Sequence, residues 1–387
     1  MRWPRIPLWR DVRFWRIVLQ GAVVVAVAIA IAVLWHNLSI NLQQLNVQRG
    51  FSFLNSQASF PIGETPIAYK PSDTYSRALL VGLVNFLRAV VAGIPLATAI
   101  GVTIGIARLS SNWLVRHLAL FYVETLRNLP LLLQLLFWYA ALTISLPKIE
   151  ARIEFPGPIY LSKQGIVFPW VVPTAATLPW ILLLSLGLIA ALWIWRWQSR
   201  DGLSRSRTGQ SLLLSLGTLA AVAAIAALVT GSAPGQWNPP QIDDTLYVQG
   251  GISLSPEFLA LLLGLALYTA AFIAEIVRAG IQSVAKGQRE AAAALGLKPD
   301  QTLRLVIFPQ ALRVIVPPLT NQYLNLSKNS SLAIAVGYPD FYSIASTTAS
   351  QKSQTIEIVL LIMAAYLSLS LVIAALMNLA NRALQQR

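Results

Sequence analysis

The sequence contains no cysteine, which removes disulfides and thiol chemistry from consideration. Charge is scarce: Asp, Glu, Lys and Arg make up 11% of 387 residues, against about a quarter in a soluble domain. There are two histidines, His36 and His117, and the pattern of apolar runs sets them at opposite membrane faces, where they cannot share a metal. No G-x-x-x-x-G-K-[ST] stretch occurs, so the chain lacks the loop that cradles nucleotide phosphates. H-E-x-x-H and G-x-S-x-G are absent as well, which argues against an intramembrane enzyme; no metal or cofactor is expected in this chain. What the chain does have is apolar length. It is 56% hydrophobic, and the class this implies is an all-α integral membrane protein, because helices satisfy their own backbone in lipid.

Eight apolar runs are long enough to cross a bilayer. Residues 1–16 hold five arginines and form a basic N-terminus. The run from Ile17 to Trp35 is longer than a signal-peptide core and lacks a small-residue cleavage site, so residues 17–36 read as span 1. Residues 37–76 are polar, with Pro61, Pro66 and Pro71, and form an external segment. Span 2 covers Arg77 to Ala107, span 3 about Val115 to Leu146, span 4 about Pro173 to Trp195, and span 5 about Ser211 to Thr230. Ser255-Pro256-Glu257 supplies an N-cap, a proline at the first helical position and an acid in the first turn, which starts span 6, running to about Ser283. Span 7 runs from about Pro309 into the 330s, and span 8 from about Thr355 to Asn381. Residues 147–172 and 231–255 are external.

Charge orients this arrangement. Of the 29 Lys and Arg, 19 fall in segments 1–16, 108–116, 196–207, 278–313 and 382–387, and seven in the segments on the other side. The excess marks the first set as cytoplasmic, which puts both termini in the cytoplasm and agrees with an even number of spans. Contact with anionic lipid accounts for the net charge of +14, with no need for nucleic acid. Tryptophans such as Trp15, Trp35, Trp170 and Trp193 fall at the predicted interfaces, the ordinary aromatic belt.

The stretch from Arg278 to Ser331 carries the strongest signal. Glu290-Ala291-Ala292 is followed after three residues by Gly296, and after nine more by Val306-Ile307-Phe308-Pro309. The alanines favour a short helix, Gly296 suits a left-handed helix end, and Lys298-Pro299-Asp300 starts a second helix. The pattern resembles the EAA loop of binding-protein-dependent ABC importer permeases, with Val-Ile-Phe-Pro where that family usually has I-x-L-P. Tyr122 to Gln134 and Asn325 to Ala333 resemble two further motifs of the permeases for polar amino acids, of the general L-amino acid type (the histidine/glutamine permease family). The resemblance runs from about residue 75 onward. It implies a type I importer core of five helices, here spans 2, 3, 6, 7 and 8, within residues 77–387, an extra span 1, and an inserted pair at about 173–230. It further implies a permease subunit that moves amino acids across a bacterial inner membrane. Its partners would be two ATPase subunits that use the ATP and magnesium, a second related but non-identical permease, and an external amino-acid-binding protein. The EAA segment, residues 283–309, would then couple to the ATPase through Glu290, Ala291, Ala292, Gly296, Val306, Phe308 and Pro309, with Glu290 capping or pairing.

Other residues stand out as polar groups at membrane depth, where charge is costly and faces the bundle interior. Glu124 and Arg127 are three apart on span 3 and can pair, either as a packing lock or as a contact for the carried solute. Glu275 and Arg278 repeat that spacing and read as a structural ion pair. Asn321 to Ser331 is unusually polar for a span, which suggests a break or a water-lined cavity; interhelical hydrogen bonding is the plainer alternative. An amino acid has a carboxylate and an ammonium, so Lys328, Asn329, Ser330 and Ser331 are candidate donors and Glu124 a candidate acceptor. Asn85, Arg88 and Gln134 are further candidates for the substrate pathway. No inverted repeat is visible, but an ion-gradient-driven secondary transporter or channel remains the competing class.

Overall fold

A computed structural model describes residues 12–44, 50–199, 205–243, 248–352 and 354–385. Most of the basic N-terminus, Arg200 in the 196–207 turn and Asp244 lie outside the described residues. The chain forms two compact units, one of residues 1–87 with 339–375, the other of residues 88–338 with 376–387. Seven described helices are long and apolar enough to cross a membrane, or eight if a bent pair counts as one crossing. This agrees with the number of spans read from the sequence.

The first unit contains α1 (Val12–Gln44), the start of α2 (Tyr75–Ala107), α11 (Phe341–Lys352) and most of α12 (Thr355–Gln385). From Phe14 to Asn37, α1 has no buried residue among those described. A 3₁₀ turn, Phe51–Asn55, is pinned by the Gly50 N–H donating to Glu357 Oε1 at 2.9 Å, and Phe53 and Phe60 each pack 6.2 Å from the Tyr75 ring. Asn85 is fully buried, and its amide donates to the carbonyls of Glu64 and Pro339, both at 2.9 Å. Its side chain thus bridges three segments of the chain. The sequence reading also left residues 341–352 without structure. Asp340 caps this α11 by accepting from the Ser343 N–H at 2.9 Å and takes a second bond from Tyr366 Oη at 3.3 Å. Asp340 lies between two membrane-spanning helices and is buried, and burial pushes its carboxyl up to about 7 against the pull of these hydrogen bonds.

In the second unit the long apolar helix α7 (Pro256–Gln282) is the core, with a buried stripe that includes Ala260, Gly264, Ala270, Ala274 and Val277. Against it pack α3 (Trp113–Asn128), α4 (Leu131–Ser145) and α10 (Phe308–Asn329). The second half of α2 also approaches α7 closely. Small residues recur every four positions along it (Ala89, Gly93, Ala97, Gly101, Gly105), the spacing that lets helix backbones meet in lipid. A Cβ added at Gly105 would lie 2.7 Å from the Ala274 carbonyl oxygen, and one at Gly101 would lie 3.0 Å from that of Ala270.

Span 3 is not one helix. It breaks between α3 and α4 with a bend of 108°. Pro130 has no N–H to give, and it holds Leu129 in an extended conformation (φ −92°, ψ 133°). The external segments are also more ordered than the sequence suggested. Antiparallel strands β1 (Ile153–Phe155), β2 (Ile159–Ser162), β3 (Gly165–Phe168) and β8 (Ile252–Leu254) form one sheet in that order. Two further antiparallel pairs join β4 (Trp170–Pro173) to β5 (Gly235–Asn238) and β6 (Gln241–Ile242) to β7 (Val248–Gln249). Residues before α5 (Thr177–Ser199) thus pair with residues after α6 (Arg205–Thr230), so these two helices leave and return at one place. They close on each other, with Trp180 Nε1 donating to Thr230 Oγ1 at 3.0 Å.

Two outcomes follow from this packing. Gly105→Leu should cost about 1–3 kcal/mol by overpacking, read as a lower melting temperature in detergent, because its Cβ meets backbone that cannot swing aside. Asp340 titrates higher folded than unfolded, so stability should fall as pH rises from about 4 to about 7 and level off above. Melts of Asp340→Asn, which keeps a capping oxygen, should lose that slope.

Candidate functional site

The Glu290 region is a chain of short helices. Helix α8 (Lys286–Ala294) ends as its sequence requires: Gly296 takes φ +75°, its N–H bonds to the Ala293 carbonyl at 2.9 Å, and the Leu297 N–H bonds to the Ala292 carbonyl at 3.1 Å. These are the two bonds of a Schellman ending, and they need a left-handed residue at position 296. Helix α9 (Pro299–Thr302) begins with the Lys298 N–H held by Gln301 Oε1 at 3.0 Å. One π turn, Leu303–Ile307, containing Val306, leads into α10 with Pro309 in its first turn. The assembly is tied at both ends. Arg289 donates to the Ile281 carbonyl at the end of α7 (3.3 Å), and Gln310 on α10 donates to Gln288 Oε1 (3.1 Å).

What α8 presents outward is distinctive. Ala292 is buried, whereas Glu290, Ala291, Gly296, Phe308 and Pro309 are exposed, and Leu295 is 81% exposed. Glu290 neither caps nor pairs among the described residues, a correction to its expected role; its carboxylate is left facing outward.

Toward the end of α7 the Glu275 carboxylate holds two arginines. The pair with Arg278 forms at the expected i, i+3 spacing, with Arg278 Nε 3.2 Å from Glu275 Oε2 and Nη2 on Oε1. Arg108, at the end of α2, reaches the same carboxylate and keeps only 11% of its side chain exposed. Sequence spacing finds the helical pair but not a partner 167 positions away. The surplus of arginine over carboxylate at one membrane level was the available signal.

The second expected pair does not form. Glu124 and Arg127 are both exposed, and no ion pair joins them among the described residues. The Arg127 guanidinium instead lies 5.3 Å over the Phe272 ring of α7, and Arg88 lies 5.0 Å over Phe258. Gln134 lies where α3 and α4 meet. It is 5% exposed, and its amide donates to the carbonyls of Leu126 (2.9 Å) and Leu129 (3.1 Å), orphaned where α3 breaks. The amide oxygen has no partner among the described residues.

The polar end of span 7 is a change of helix type. Helix α10 passes at Ser330 into a 3₁₀ segment, Ser330–Val336. Ser327, Ser330 and Ser331 each donate back to the carbonyl three residues earlier, at 2.9, 2.8 and 2.8 Å. Such i−3 bonds tighten the turn, and they use the hydroxyl protons, leaving oxygen lone pairs to accept. Lys328 is exposed and Asn329 half-buried.

Residues 246–387 match the family of binding-protein-dependent transport system inner membrane components. Over 92% of its length the chain is 40% identical to the general L-amino acid transport system permease protein AapQ of Rhizobium johnstonii, covering 90% of that protein. This chain belongs to that family. It is also 41% identical over 96% of its length to the putative amino-acid ABC transporter permease protein YhdX of Escherichia coli, covering 94% of it. A third relative is the glutamate/glutamine/aspartate/asparagine transport system permease protein BztB of Rhodobacter capsulatus, 39% identical over 97% of this chain and 95% of that protein. The chain is thus a multi-pass permease subunit of an ABC importer in the inner membrane.

In this permease Glu275→Gln would leave two guanidinium groups facing each other. A double-mutant cycle of Glu275→Gln with Arg108→Gln, read from detergent melts, should give a coupling of about 1–3 kcal/mol. Strict additivity would show that Arg108 is not energetically tied to the carboxylate.

Proposed function

We propose that this permease carries amino acids into the cell, driven by ATP that a separate subunit hydrolyses. The observation that carries the reading is α8: a nine-residue helix with Glu290 and Leu295 exposed, bounded by a glycine that only a left-handed conformation satisfies, and clipped to α7 and α10 at its two ends. A soluble ATPase gripping this helix would move α7 and α10 together. The relatives' names supply the amino acid, and the segment from α8 to the start of α10 supplies the coupling element, with Glu290, Ala291, Gly296, Val306, Phe308 and Pro309 toward the ATPase and Ala292 seating α8 on its own chain.

ATPase subunits work in pairs and need two docking helices, so a second, related permease completes the complex, and an external binding protein delivers the solute. Both termini lie in the cytoplasm, in keeping with the arginine-rich segments on that side. For the solute route, Lys328 and Asn329 are the donors with free N–H groups, Ser330 and Ser331 offer acceptor oxygens, and Glu124 and Arg127 are unpaired with each other and available to the two ends of an amino acid. Arg88 and Gln134 act behind this set, holding helices in place.

Proteoliposomes holding the complex should take up amino acids only with ATP on the cytoplasmic side and binding protein on the other. Uptake driven by an ion gradient alone would overturn the reading in favour of a secondary transporter. Gly296→Val forces a β-branched side chain into a left-handed position, at about 1–2 kcal/mol. It should leave the complex assembled and ATP hydrolysis measurable while uptake falls at least tenfold, and normal uptake would remove α8 from the coupling route.

A further inference from the structure

Beside the Glu275 cluster, at the ends of α2, α3 and α7, a cavity of about 200 Å³ is lined by Arg108, Arg116, His117, Leu120, Arg278 and Gln282. Its wall carries three guanidinium groups, and Glu275 is the one carboxylate bonded to them among the described residues, so the charge there is positive with an excess of two. Glu275 occupies one edge of Arg108 and of Arg278, and Arg278 also donates to Gln282 Oε1. Arg116 forms no ion pair among the described residues. His117 Nδ1 lies 2.8 Å from the Trp113 carbonyl oxygen, which it meets as a donor, so Nε2 is the nitrogen left for the cavity.

The surroundings are apolar. Gln282 also lines an adjoining cavity of about 820 Å³, walled by side chains such as Ile106, Leu109, Val115, Ile307 and Phe308. On the other flank α3 exposes Trp113 (63%), Leu114 and Phe121 (71%), with the indole of Trp113 stacked 4.4 Å from the His117 ring. A small cationic cavity that shares Gln282 with a larger apolar one, at the end of membrane-spanning helices, has the polarity profile of an amphiphile with an anionic head. We propose that it binds an anionic phospholipid of the cytoplasmic leaflet, its phosphodiester held by Arg108, Arg116 and Arg278 and an acyl chain lying in the apolar cavity. The site rests on the cytoplasmic orientation of the α2–α3 turn proposed above. It sits between the helix that carries the charge cluster and the α8–α10 lever, so a bound lipid would brace both.

The test uses the purified complex in detergent, titrated with phosphatidylglycerol and with phosphatidylcholine of the same acyl chains, followed by native mass spectrometry. Phosphatidylglycerol should bind in preference, and Arg116→Gln, on an exposed helix face and outside the Glu275 pairs, should weaken it about fivefold, the share of one basic residue at a membrane surface. Arg313→Gln, a cytoplasmic arginine outside the cavity, should leave the affinity unchanged. Equal binding of phosphatidylcholine, or an Arg116→Gln variant as tight as the parent, overturns the site. Displacement by inorganic phosphate at the same concentration would make it a soluble-anion site and overturn the lipid. A complex that imports amino acids with ATP but shows no headgroup preference would sink this inference alone, and headgroup preference without ATP-driven uptake would sink only the transport reading.

Discussion

Hydrocarbon offers no hydrogen bonds, and where this chain departs from a straight α-helix a side chain of its own closes the gap. Gln134 is the clearest instance. The bend of 108° between α3 and α4 strands carbonyls at the end of α3, and the Gln134 amide takes two of them. Without it the bend would expose backbone acceptors at several kcal/mol each. At the end of α10 three serines tighten the backbone into a 3₁₀ segment by the same economy. The bent helix and the tightened one both lie against α7, so these local closures set the form of the core.

That core also depends on how near helices can come. The four-residue recurrence of glycine and alanine on α2 removes the side chains that would hold it away from α7, and the close approach is what lets Arg108 reach Glu275. The charge cluster stands near the C-terminal end of α7, a short distance in sequence from α8. The end of α7 is tied to α8 through Arg289, and α8 to α10 through Gln310.

Several features could be read without coordinates because they are local. Helical spans follow from apolar length, the end of α8 from Gly296, the start of α7 from Ser255 and Pro256, and the Glu275–Arg278 pair from its spacing. Pro130 was equally visible, yet a proline alone does not tell a kink from a reversal. The short strands and α11 were not legible because segments of two to twelve residues carry little periodicity, and some of their partners, as for β4 with β5, lie far along the chain.

The candidate solute residues divide the same way. Sequence could rank Asn85, Gln134, Glu124 and Lys328 only by their polarity at membrane depth, and polarity does not distinguish a side chain serving a ligand from one serving the backbone. The fold assigns Asn85 and Gln134 to carbonyls of their own chain and leaves Glu124 and Lys328 exposed. What the sequence determined by itself was membrane residence, the number of spans and the family motif, since these depend on composition and short spacing. Which polar groups are spent on structure, and which cations crowd together near the C-terminal end of α7, was decided only by tertiary structure, because each depends on partners brought together from distant positions in the chain.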